Sequence, residues 1–189
     1  MDQKRWWISE AAGVQVVFLT AMLLRSVYAL SGRSTLAILF GAVNGSAWEQ
    51  TKAVSAGYVG YAVLEILWLH VPFRRYVIAK VGGLYLLSGC VIGGCYLLRA
   101  VGGTALLPAV LVISAAGGFW LSYRLTMTER ETGELFPIAL LLLMLYFLMF
   151  FSFTIFPPRV GLFRDPAVGT YGIEEYLVYA GAIAMEKFL

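Results

Sequence analysis

The sequence predicts an all-α fold, a polytopic membrane helix bundle forming a single integral-membrane domain over residues 1–189, and three observations predict it. Hydrophobic residues make up 60% of the chain and charged residues 13%, against about 25% charged in an ordinary soluble domain. Mean hydropathy is +0.80, and the apolar residues gather into runs of about 20, the length a helix needs to cross a bilayer. The Lys and Arg residues lie at the ends of these runs and form no contiguous basic patch. That placement excludes a nucleic-acid surface and points to the cell membrane, with lipid as the principal surroundings. About five transmembrane helices, one short re-entrant or interfacial segment and a short C-terminal interfacial helix account for the length.

The first span is expected over residues 8–30. Lys4 and Arg5 followed by an apolar stretch resemble a secretory leader with a weak cleavage site at Val27-Tyr28-Ala29, but Arg25 interrupts the approach to it and many apolar runs follow, so the segment reads as an uncleaved span. Glu10 and Arg25 sit near its ends, where long side chains reach headgroups, while the deeper Gln15 and Thr20 should face a neighbouring helix. After Ser31 to Ser34 breaks the helix, Leu36 to Val43 is apolar but too short to cross.

The second span begins at a polar island, Asn44 to Lys52, and runs to about His70, closed by Pro72. Ser46 and Glu49 have capping-box spacing, in which each side chain satisfies a free amide of the first turn. Thr51, Ser55, Tyr58, Tyr61, Glu65 and Trp68 recur every three or four residues, a polar face that should look into the bundle. Glu65 is the most deeply placed carboxylate, and an ionisable group at such depth is a functional candidate; the plainer reading has Arg74, Arg75 or water satisfying it.

The third span, about 77–98, carries Gly89-Cys90-Val91-Ile92-Gly93, and the fourth, about 104–123, offers Ser114 and Gly118. Small residues at this spacing let backbones approach closely, inside the bundle or against a partner helix or second copy. Cys90 and Cys95 lie about 140° apart around one helix and cannot pair within it. Residues 124–134 read as a charged solvated loop, and the fifth span, 136–156, has no ionisable group and should face lipid broadly. It ends at Pro157-Pro158 and is followed by a second polar island, residues 156–173, and then a short interfacial helix.

Positive charges divide evenly between the two faces, and the short connections, Arg74, Arg75 and Lys80 against Arg99, tilt the chain toward an inside N-terminus. Four crossings separate the islands whichever way the chain faces, so both should emerge on one side of the bilayer.

Asn44, Ser46, Trp48, Glu49 and Lys52, with Phe156-Pro157-Pro158, Leu162-Phe163, Asp165-Pro166 and Gly169-Thr170-Tyr171-Gly172-Ile173, resemble the two signature segments of a bacterial family of multi-pass membrane proteins with a domain of unknown function. The family segments read Asn-Glu-Ser-Val-Trp-Glu-His-Leu-Lys and Phe-Pro-Pro-His-x-Pro-Leu-Phe-x-Asp-Pro-x-x-Gly-Thr-Tyr-Gly-Ile. The resemblance implies a fold and supplies no reaction. Gly45, Gln50 and Arg159 stand where the family has Glu, His and His, so a metal or proton-relay site built on those groups lacks its imidazoles here. The one histidine, His70, reads as interfacial.

Three functional readings remain open. A binding or transport protein would use Asn44, Trp48, Glu49, Lys52, Arg164, Asp165 and Tyr171 as a polar mouth for an ion or small solute, with Glu65 further in. An accessory subunit would use the same residues as caps and ties, and Gly89, Gly93, Ser114 and Gly118 for helix contacts. An interfacial enzyme would use Asp165 and Glu49 as acid and base, but HExxH, GxSxG, P-loop and paired-histidine patterns are all missing, and no metal or cofactor is expected.

Overall fold

The computed structural model describes residues 3–31, 34–69, 72–128 and 134–172. Over these the chain forms α1 (Gln3–Leu30), α2 (Thr35–Phe40), α3 (Ala47–Trp68), α4 (Phe73–Ala100), α5 (Leu107–Met127) and α6 (Leu135–Ile155). Among the described residues the only β feature is an isolated bridge between Arg164 and Tyr171. The expected C-terminal interfacial helix, His70 and residues 129–133 of the expected charged loop lie outside the described residues, and the start of that loop, through Met127, is the last turn of α5.

Among the described residues four helices are long and apolar enough to cross a membrane: Gln3–Tyr28 within α1, then α4, α5 and α6. The expected second span, α3, has the length at 22 residues, but Lys52, Glu65 and its hydroxyl side chains dilute its apolar content. It is also the helix whose first twelve positions are almost wholly buried. Both facts have one cause, because polar groups in a helix of membrane length are tolerated where neighbouring helices cover them.

The core runs along α1, α3, α4 and α5 through Val17, Ala21, Val54, Tyr58, Leu84, Leu87, Leu111, Ala115 and Phe119. Helices α4 and α5 make the closest pair. A Cβ on Gly118 would stand 2.8 Å from the Gly83 carbonyl oxygen, and one on Gly83 would stand 2.5 Å from the Gly118 carbonyl oxygen. Ser114 and Gly118 are therefore interior residues, buried against α4. Gly89 and Gly93 differ from that expectation: they point outward, with nothing within 4 Å of an added Cβ. Their spacing matched a packing motif, but Tyr76, Lys80, Leu84, Leu87, Val91 and Cys95 occupy the buried stripe of α4.

Helix α6 leans on α4 and leaves Ile138, Leu141, Met144, Leu148 and Ile155 exposed, the apolar surface expected of its composition. Two placements on α1 and α3 depart from expectation. Gln15 is exposed instead of facing a neighbour, and Trp68 is 77% exposed because the polar stripe of α3 drifts off the bundle at its last turn.

Candidate functional site

The two polar islands meet. Trp48 N–H donates to the Leu162 carbonyl at 3.1 Å, and the Trp48 indole packs against Phe153 and Phe163, both at 5.4 Å between ring centroids. The Asp165 carboxylate accepts from Gly45 N at 2.7 Å and Ala167 N at 2.8 Å. The turn that presents Asp165 is closed by Gly169 N to Asp165 O at 2.9 Å, and Gly169 has φ +77°, where only glycine sits without strain. Arg164 is exposed, its Nε 3.4 Å from the Gly169 carbonyl, and Tyr171 bridges to it.

On the other island Ser46 Oγ accepts from Glu49 N at 3.2 Å, as a capping box requires. Glu49 departs from that pattern: its carboxylate reaches past the cap to Val43 N at 2.8 Å, and Asn44 Oδ1 takes the Ser46 amide at 2.9 Å. Lys52 is 1% exposed; its ammonium lies 2.9 Å from Glu49 and donates to the Ile38 carbonyl at 2.9 Å. A cation there completes the C-terminal end of α2, whose last carbonyls have no helical partner. Asn44, Glu49, Lys52 and Asp165 are thus engaged with the backbone groups of Ser46, Val43, Ile38 and Gly45 respectively. Beside them lies an open notch of about 220 Å³ lined by Arg25, Asn44, Gly45, Gln50 and Asp165. Gln50 Oε1 is buried at its edge and has no hydrogen-bond partner among the described residues.

The densest group of charges lies at the opposite end of α3. Lys80 Nζ pairs with Glu65 Oε2 and, at 2.9 Å, with Glu10 Oε2. The three residues are 2–6% exposed and come from α3, α4 and α1. Glu10 Oε1 accepts from Ser122 of α5 at 2.9 Å, and Glu65 Oε1 accepts from Ser9 at 2.7 Å. The Tyr76 hydroxyl, which donates to the Ala62 carbonyl at 2.5 Å, lies 3.2 Å from Glu65 Oε2. The rings of Trp6, Tyr58, Tyr76 and Phe119 stand 4.9–5.9 Å from Nζ and wall the ammonium in.

The sequence pointed to Glu65 and to neither of its partners. Glu10 had been expected at the headgroups and Lys80 among the charges of a connection, yet each is the eighth residue of its helix. That is about 10 Å in from the helix start. Burial periodicity carried the missing signal, since Trp6, Glu10, Gly13, Val17 and Ala21 share one face of α1, and Tyr76, Lys80 and Leu84 share one face of α4. Arg74, one of the expected partners of Glu65, lies instead over the Phe136 ring at 5.8 Å.

Two cavities flank the cluster. One, about 560 Å³, lies between α1 and α3 with Ser9, Tyr61 and Glu65 in its wall. The other, about 240 Å³ and almost wholly apolar, lies between α3, α4 and α6 with Tyr58, Tyr76 and Lys80 in its wall. A separate hydroxyl cluster, Ser55, Ser88 and Tyr146, sits on the polar face of α3 between the two ends.

Compared with known proteins, residues 1–173 match a family described as of unknown function, DUF6512. No curated protein and no solved structure matches.

Proposed function

We propose that this chain, which belongs to the DUF6512 family of unknown function, is a multi-pass cell-membrane protein that binds a small monovalent cation, a proton included, at the Glu10–Lys80–Glu65 cluster and passes it across the bilayer. The observation that carries the reading is the charge count of the cluster: two buried carboxylates share one ammonium. Fully ionised, the group holds one uncompensated negative charge inside the bundle, where such a charge costs several kcal/mol. A second cation relieves that cost, so the site has an intrinsic affinity for one.

The rest of α3 supports a route. Gln50 borders the notch at one end of the helix and Glu65 borders the α1/α3 cavity at the other, fifteen residues and about 22 Å apart. Ser55, Ser88 and Tyr146 lie between them. The intervening Val17, Val54, Leu87 and Leu111 are packed tight, which suits a carrier that opens alternately to its two ends better than an open pore. Glu65→Gln removes the surplus charge with little change of shape. In reconstituted vesicles it is expected to abolish cation or proton flux while the purified protein keeps its elution profile; flux at the wild-type rate would take Glu65 out of the mechanism.

A second reading, an accessory subunit, has one observation in its favour. The island residues Asn44, Glu49, Lys52 and Asp165 are all engaged in internal bonds, and the outward Gly89/Gly93 face of α4 is open to another helix. Recovery of a stoichiometric partner in mild detergent, together with flux-silent vesicles, would favour it over the carrier.

A further inference from the structure

Resting on the cation-site reading, we infer that the species exchanged at the cluster is a proton, admitted from the α1/α3 cavity through the hydroxyls of Tyr61 and Ser9 to Glu65. The cavity approaches Glu65, but the Glu65 side chain has 0% exposure. Two hydroxyls of the same wall lie beside the carboxylate. Ser9 Oγ donates to Glu65 Oε1 at 2.7 Å, and Tyr61 Oη lies 3.1 Å from Ser9 Oγ. Tyr61 and Ser9 are both partly buried and both line the cavity; Ser9 is the one bonded to the carboxylate, so Tyr61 is the outer member of the chain.

A metal ion or an organic ammonium that is to bind Glu65 Oε1 from this cavity has to displace the Ser9 hydroxyl bonded to it. A proton needs only that the hydroxyls turn. Tyr61 Oη now donates to the Ser9 carbonyl at 2.6 Å, with Ser9 Oγ as a second acceptor within reach. In the transfer a proton from water joins Tyr61 Oη as the phenol proton passes to Ser9 Oγ, and the serine proton passes to Glu65 Oε1. The products are one neutral carboxylic acid and two hydroxyls pointing the opposite way, with no atom gained or lost beyond the incoming proton. Lys80 then keeps Glu10 as its ionised partner, and the cluster is neutral.

The groups facing Glu65 fit this assignment. From α1 come Glu10, a like charge that favours protonation of one of the pair, and Arg5 in the cavity wall. Tyr58 and Tyr61 come from α3, and Tyr76 and Lys80 from α4. Helix α5 contributes Ser122, which holds Glu10 in place.

The test uses the full chain in vesicles containing a pH-sensitive dye, with uptake followed after an external acid pulse. Tyr61→Phe and Ser9→Ala are each expected to slow proton uptake by at least about tenfold, and Ser9→Thr to restore it by returning a hydroxyl. In the purified protein, an infrared carbonyl band of a protonated carboxyl group should appear on acidification and vanish in Glu65→Gln. Wild-type uptake in both Tyr61→Phe and Ser9→Ala, with Glu65→Gln silent, overturns the hydroxyl route and leaves the cation site standing. Sodium- or potassium-driven flux that Glu65→Gln stops overturns the proton in favour of that ion. Unaltered flux in Glu65→Gln removes the underlying reading itself.

Discussion

Lys80 touches two carboxylates, so removing it and removing one of them are unequal changes. Lys80→Met leaves Glu10 and Glu65 facing each other in a dry site, and a buried pair broken on one side costs about 3–5 kcal/mol. Glu65→Gln leaves Lys80 paired with Glu10 at 2.9 Å and removes the surplus charge, so it is expected to cost far less. Thermal unfolding in detergent should rank Lys80→Met well below Glu65→Gln, and the combined Lys80→Met, Glu10→Gln, Glu65→Gln protein should recover most of the difference. Equal melting of the single and combined variants would mean that the charges are not coupled. At this scale the sequence was legible only in part. Glu65 stood out because it lies on a polar stripe. Glu10 and Lys80 lie near helix starts, where a charge is ordinarily free to reach headgroups, and only the tertiary path of α1 and α4 turns them inward.

At the level of elements, the pairing of α4 with α5 depends on backbone approach. Gly83→Ala or Gly118→Ala puts a methyl group against a carbonyl oxygen of the facing helix and should destabilise by about 1–3 kcal/mol. Gly89→Ala and Gly93→Ala meet open space and should leave unfolding unchanged, unless that face carries a partner. The four variants thus separate internal packing from association in one melting series. The GxxxG spacing was visible in the sequence; which face of α4 turns inward was not, because every face of that helix carries apolar or small residues. The loop holding Asp165 makes a complementary prediction. Asp165→Ala strands the amides of Gly45 and Ala167, at about 1–3 kcal/mol in total. It should expose residues 156–170 to limited proteolysis while leaving the helical circular dichroism intact.

Over the whole molecule the strongest expectation was topological: two islands 120 residues apart should lie together, and Gly45 N bonded to Asp165 meets it. The Arg99 guanidinium, 3.1 Å from the Gly161 carbonyl, sets the α4–α5 turn at the same end. With Cys90 and Cys95 replaced, single cysteines at Thr104 and Val160 should react with a membrane-impermeant thiol reagent from one side, and cysteines at Phe73 and Glu134 from the other. Split reactivity between Thr104 and Val160 would break the topology. Alternating apolar runs and polar breaks carry that proximity, whereas the charged cluster depends on how α1, α3 and α4 pack against one another. The order of its parts along the chain has a further consequence. On the multi-pass reading proposed above, a ribosome delivers Glu10 and Glu65 to the translocon before Lys80 has been synthesised, so the nascent α1 and α3 would have no counter-charge when they first meet lipid. Either their carboxyl groups enter neutral or the two helices wait in the lateral gate until α4 arrives, and a stall engineered just ahead of residue 80 should leave α3 extractable by alkaline carbonate.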